Sequence, residues 1–167
     1  VPFEQFQIID PDTKKPLKVQ KLRDGRYAFF AKQLPSMGYK TYTVKEAKKE
    51  AYGSSELSPA NSLENEFYQI TLDRTKNIIS DIVDKQLGKN IIDTSSPYAL
   101  GEYIYYDHFR KEWKKTNFTD IKYNKGDLID EIHINQDAYL TGKVELIVYV
   151  HHKTKKIDFA LEVDKLS

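Results

Sequence analysis

Between Tyr98 and Trp113 the sequence reads YALGEYIYYDHFRKEW, six aromatic side chains and one histidine in sixteen positions. Rings at this density suit sugar recognition. The C–H face of a pyranose lies on an aromatic ring, while phenol and carboxylate oxygens take up its hydroxyls. Tyr105, Tyr106, Asp107 and Trp113 carry the chemistry for such a site. Strand alternation places Tyr103 and Tyr105 on one face and Ile104 and Tyr106 on the other, so part of the same set can instead pack in a core. Trp113, in the basic stretch FRKEWKK, can be a sugar platform or can cover the core beneath a loop.

Other reactive side chains lead less far. Glu64 and Glu66 flank Asn65, and on a strand their Cα atoms would stand roughly 6.6 Å apart on one face. Paired carboxylates can work on a glycosidic bond, but two glutamates at a strand entrance also read as a solvated edge. Of the four histidines, His151 and His152 are adjacent, so a strand points them to opposite faces and they cannot share a metal. His133 and Asn135 fall on one side, and an amide is a poor zinc ligand; His108 stands apart in the aromatic stretch. No Gly-x-Ser-x-Gly elbow and no phosphate-cradling glycine loop is present. No catalytic residue and no metal site is assigned.

The elements that must position these residues are strands. Turn chemistry at Asp10-Pro11-Asp12 and at Arg23-Asp24-Gly25-Arg26 separates extended runs at Phe3 to Ile9, Leu17 to Lys21 and Tyr27 to Ala31. Tyr39 to Val44 is rich in β-branched and aromatic residues. Residues 45–61, KEAKKEAYGSSELSPAN, read as a polar connector with one helical turn, because no apolar face exists for a longer helix. The pattern resumes at Leu63, with runs at 67–72 and 78–83 and a turn at 86–89. Last comes a hairpin in which Val144, Leu146, Val148 and Val150 share one face and Ile157, Phe159, Leu161 and Val163 return. Repeated short strands of this kind predict an all-β, antiparallel sandwich.

Composition narrows the partners. A chain of 167 residues is long enough to bury about 70% of its unfolded surface. Lys plus Arg (26) nearly balances Asp plus Glu (25), which favours neither nucleic acid nor an anionic membrane. Cysteine is absent, which removes disulfides and thiolate chemistry and leaves the redox compartment undetermined. No apolar run approaches the roughly 18 residues of a spanning helix. The chain starts at Val1-Pro2 without an initiator methionine and is strand-like almost to its end, so it reads as cut from something longer.

LENEFYQITLD at 63–73, followed by IISDIVDKQLGKNIID at 78–93 with its Asp84-Lys85 pair, resembles the start of the β-rich region of glycoside hydrolase family 38 α-mannosidases. Upstream, LPSMGYKTYTV at 34–44 looks like the Pro-x-x-Gly-Tyr strand ending that family's small β domain, and KKIDFALEVD at 155–164 is similar to a hairpin there. The resemblance implies a galactose-mutarotase-like supersandwich. It divides the chain into a small β domain or its last strands (1–44), a polar connector (45–61) and the first portion of the supersandwich (62–167). It further implies a retaining, zinc-dependent exo-α-mannosidase as parent, with nucleophile and His/Asp zinc site on a barrel not present in these residues. The family's His-x-Asp motif has no counterpart here, so neither nucleophile nor metal ligands transfer, and the chain alone is expected to be inactive. In that family a tyrosine of the corresponding β segment reaches the sugar, which implies Tyr105, Tyr106 or Asp107. Mannosides and the parent's barrel are the implied partners; an independent carbohydrate-binding sandwich is the alternative.

Overall fold

Short alternating runs broken by Asp, Asn and Gly turns make strands, and the computed structural model, which describes residues 4–48, 52–138 and 141–165, holds no helix among them. None is therefore long and apolar enough to cross a membrane. Val1 to Phe3, where the first strand was expected to begin, and residues 49–51 of the connector lie outside the described residues.

The N-terminal block contains β1 (Phe6–Ile9), β2 (Val19–Lys21), β3 (Tyr27–Phe29) and β4 (Thr43–Glu46). β1 pairs antiparallel with β4, and β2 with β3. The turn predicted at Arg23 to Arg26 forms because Asp24 Oδ1 accepts the Arg26 amide at 2.8 Å and Gly25 takes φ 85°. Phe6, Ile8 and Val19 are buried beneath Tyr27, Phe29, Tyr42 and Tyr52. The strand expected over Tyr39 to Val44 starts only at Thr43; Lys40 is instead tied to Asp12 and to the Lys32 carbonyl, and Tyr39 points into solvent.

The connector departs from expectation. It carries β5 (Gly53–Ser54), parallel to β2, and β6 (Glu56–Ser58), which pairs with Tyr123, Asn124 and Lys125. No helical turn occurs among its described residues. Backbone groups at sheet edges need partners whatever the side chains are, and a polar run satisfies them without an apolar face.

Beyond it lies a sandwich. β7 (Ser62–Glu64), β8 (Tyr68–Asp73), β9 (Ile78–Asp84) and β10 (Lys89–Asn90) form one antiparallel sheet, ordered β10-β9-β8-β7. β11 (Ile104–Asp107) and β12 (Glu112–Lys115) make a separate ribbon. β13 (Asn117–Lys125), β14 (Ile129–Asp137), β15 (Thr141–His151) and β16 (Ile157–Lys165) complete the second sheet, ordered β16-β15-β14-β13-β6. Leu63, Ile70, Leu72 and Ile82 of the first sheet meet Ile132, Ile134, Leu146 and Val148 of the second in one core. Each such side chain contributes about 1.5–3 kcal/mol. Among the described residues the architecture is an all-β, antiparallel sandwich, apart from the parallel β2–β5 pair.

The second sheet is covered on both faces. Leu146, Val148 and Val150 point into the sandwich, as their alternation required, and Val144 on the same face is buried too. Ile147 and Tyr149, on the reverse, are buried against Leu22 and Ile129. The N-terminal block supplies that cover and is fastened by polar contacts. Gln20 Nε2 donates to the Ile129 carbonyl at 2.7 Å, while its Oε1 accepts the amides of Leu128 (2.7 Å) and Ile129 (3.0 Å). Arg26 Nη2 donates to the Tyr149 hydroxyl at 2.9 Å.

Candidate functional site

The aromatic stretch folds into an arm whose base is built by two residues. At Gly101 (φ 72°) a Cβ would lie 2.2 Å from Leu146 Cδ2, so only glycine lets the chain cross the sheet there. Gln136, buried on β14, then grips both sides of the arm. Its Nε2 donates to the Gly101 carbonyl (2.8 Å), and its Oε1 accepts the Tyr103 amide (2.9 Å) and the Thr116 hydroxyl (2.6 Å). A two-stranded ribbon alone is marginal in water, and this bracket ties it to a rigid strand.

Pairing within the ribbon sets Tyr106 opposite Trp113 and Tyr105 opposite Lys114. Directly opposed residues share a face. Tyr106 and Trp113 therefore form one aromatic surface, ring centroids 5.3 Å apart at 62°, and His108 meets Tyr106 edge-on at 5.0 Å. Trp113 is 69% exposed, Tyr106 38% and the loop residue Phe109 fully. Tyr105 lies on the other face and stacks on Tyr103, centroids 6.4 Å apart.

Asp107 is occupied by the loop. Its Oδ1 accepts the amides of Phe109 (2.9 Å) and Arg110 (3.1 Å), which closes the 108–111 turn where Lys111 adopts φ 53°. Of the four residues singled out from sequence, the structure joins Tyr106 and Trp113, turns Tyr105 away and gives Asp107 a turn to hold. Gln136, Gly101 and Phe109 were not singled out. A signal for Gln136 existed, since alternation along β14 puts a polar side chain on the inward face of Ile132 and Ile134.

Of the remaining reactive residues, Glu64, His133, His151 and His152 have ionisable partners. Glu64 bridges to Lys85 and is exposed, as is Glu66, so they form a solvated sheet edge. His151 Nε2 lies 2.9 Å from Asp158 Oδ2, and His152 Nε2 lies 2.9 Å from Asp130 Oδ2. The hydrogen bond to Asp130 holds His152 above the usual imidazole range against the opposing effect of burial. His133 stands between Glu145 and Glu131. Its two ring nitrogens face different carboxylates, so these groups converge on the ring and not on a common centre. Among the described residues no group of three or more histidine, aspartate or glutamate side chains could hold a metal ion.

The fold and arm define a β-sandwich that carries an exposed aromatic ribbon. A stretch of this chain is similar to human "Lysosomal alpha-mannosidase", at 27% identity over 138 residues, covering 70% of this chain and 14% of that protein. No protein-family model matches, and no solved structure does.

Proposed function

We propose that this chain is a non-catalytic β region of a family 38-like α-mannosidase that supports the catalytic barrel and presents Tyr106 and Trp113 to terminal α-mannosides. On this reading residues 1–44 close a small β domain, 62–167 begin a supersandwich, and 45–61 join the two. The observation that carries the sugar contact is the exposed Tyr106–Trp113 pair, fixed at its base by Gln136. The similarity to human lysosomal α-mannosidase supports the mannoside class. Hydrolysis would belong to the barrel. Two carboxylates flanking the glycosidic bond and a zinc ion orienting sugar hydroxyls are the chemistry implied for that part. The donor set here does not fit zinc, and no step is assigned to these residues beyond stacking and orientation.

Trp113 is the sole tryptophan, so its fluorescence reports directly on the site. Titrating a simple α-mannoside into the chain should change that emission saturably. Tyr106→Ala should weaken binding, and Trp113→Ala, followed by ring proton shifts of Tyr106, should abolish it. Stacking would be dropped were both variants to bind as the parent chain does. Adding zinc and an activated mannoside should release no leaving group; turnover surviving re-purification sinks the non-catalytic reading. The exposed arm also favours a second reading, an independent carbohydrate-binding sandwich. Mannoside binding by this chain alone, unchanged when the rest of the parent is supplied, would select it.

A further inference from the structure

The outer face of β14 carries a charged row at the place where the N-terminal block docks. Glu131 is fully buried, although Ile132 and Ile134 beside it are the ones that face the sandwich core. Its carboxylate reaches out of the sheet and into the block. Oε1 accepts the Ser55 hydroxyl at 2.7 Å, and the Arg23 amide lies 3.1 Å from Oε2. Next on the same face stands His133, with Nδ1 2.8 Å from Glu145 Oε1 and Nε2 3.7 Å from Glu131 Oε2. That Nε2 is buried and has no hydrogen-bond partner.

A buried carboxylate facing a buried, unpartnered ring nitrogen is comfortable in one protonation state only. With His133 charged, both nitrogens carry hydrogen and each faces an acid. With His133 neutral, one nitrogen turns a lone pair toward a carboxylate, and Glu131 loses the cation that offsets its burial. The other charges on this face leave the balance with the acids. Lys122, beside His133 on β13, is held by Asp120 at 2.9 Å; Lys143 on β15 is held by Glu145 at 2.5 Å and by Glu162 of β16 at 3.2 Å. From the block come the Arg23 amide and, on Tyr149 opposite Glu131, Asp24 and Arg26, which offset each other as an ion pair; the connector adds the Ser55 hydroxyl.

We propose that Glu131, His133 and Glu145 form a proton-dependent latch that tightens the N-terminal block onto the main sheet at mildly acidic pH and lets it loosen as the pH rises through neutrality. The directions of titration agree. Burial disfavours the imidazolium, yet the pull of Glu131 and Glu145 outweighs it and holds His133 above its ordinary 6.5. Burial likewise disfavours both carboxylates, but His133, Ser55 and the Arg23 amide hold Glu131, and Lys143 with His133 hold Glu145, below the ordinary 4.5. A raised histidine contributes stability that is full below 6.5 and is lost as pH climbs through its folded value. The lowered carboxylates contribute above 4.5 and lose it as pH falls through theirs. The latch is therefore closed between 4.5 and 6.5. Gln20 and the Leu22–Ile147 contact, which do not titrate, keep the block attached when it opens. This inference does not depend on the mannoside reading.

The test uses the whole chain and amide exchange by NMR, corrected for intrinsic rates. Between about pH 5.5 and about pH 8.5 the protection factor of the Arg23 amide should fall at least about fivefold, while that of Ile134 in the centre of β14 stays constant. The midpoint should coincide with titration of the His133 ring protons, above the ordinary imidazole value. Glu131→Gln keeps an acceptor for Ser55 and Arg23 but removes the charge, and should flatten the response at Arg23. An Arg23 amide indifferent to pH, a His133 that titrates below its ordinary value, or a response that survives in Glu131→Gln would each overturn the latch. The first two are read on the unaltered chain, so they stand even if the variant misfolds.

Discussion

Two aromatic clusters in this protein have nearly the same internal geometry and opposite roles. In the N-terminal block, Phe6 lies 4.8 Å from Tyr27, and Tyr27 lies 5.0 Å from Tyr52. In the arm, Tyr106 lies 5.3 Å from Trp113 and 5.0 Å from His108. Ring contact alone does not separate core from surface. What separates them is the layer behind: Phe6 has Ile8 and Val19 beneath it and is 1% exposed, while the Trp113 ring has a two-stranded ribbon and water. An aromatic run becomes core when its strand belongs to a layer that another layer covers, and a presented surface when it does not.

Phe6→Ala should cost about 3–5 kcal/mol in chemical denaturation, because a ring leaves a cavity among packed neighbours. Trp113→Ala should stay within about 0.5 kcal/mol in the same assay. Equal losses would mean that the arm is core after all. Next in size is the arm's base. Gly101→Ala should destabilise by about 1–3 kcal/mol, since its Cβ runs into Leu146 at a backbone angle suited to glycine.

Gln136→Ala should cost about 1–3 kcal/mol by leaving the Tyr103 amide and the Gly101 carbonyl without their partner. It should also weaken mannoside binding though Gln136 lies outside the exposed face, a result that a purely local platform would not give. The smallest expected effect sharpens the contrast between the ribbon's own faces. Tyr105→Ala should leave the Trp113 fluorescence response to mannoside unchanged, because its ring lies opposite the Tyr106–Trp113 surface. Loss of response there would show that ligand reaches round the ribbon.

Much of the sandwich could be read along the chain because its strands face core on one side and obey a period of two. The β15–β16 hairpin, the Asp24-Gly25 turn and the turn after Asp84 carry local chemistry that leaves little choice. The reverse face of β15 did not show itself. Ile147 and Tyr149 look like outward positions until a second layer covers them, and periodicity says nothing of that layer. Gln20 is similarly silent, since its partner Ile129 stands 109 positions away. Strands β5 and β6 exist for backbone pairing and carry no apolar signature.

Within the site, the aromatic residues were legible as a set, and alternation already parted Tyr103 and Tyr105 from Tyr106, but the partner each meets across the ribbon was not legible. Which ring faces which depends on the hairpin register, and that is set by the 108–111 loop that Asp107 closes. The cue was present, an aspartate two residues before the amide it captures, and it marks Asp107 as the residue that closes this turn.

Between Tyr52 and Pro59 a few residues serve two sheets in turn. Gly53–Ser54 lengthens the one led by β2, and Glu56–Ser58 lines the rim of the other beside β13, with Ser55 bonded to Glu131 at the crossing. One proteolytic cut there would undo both joins together. β13 would then lose the partner of Tyr123, Asn124 and Lys125, and apart from the Ile121 carbonyl, which Arg74 holds, its edge would lie open to the strand of any neighbour. Self-association, ahead of any loss of the sandwich core, is the behaviour such a nick should bring.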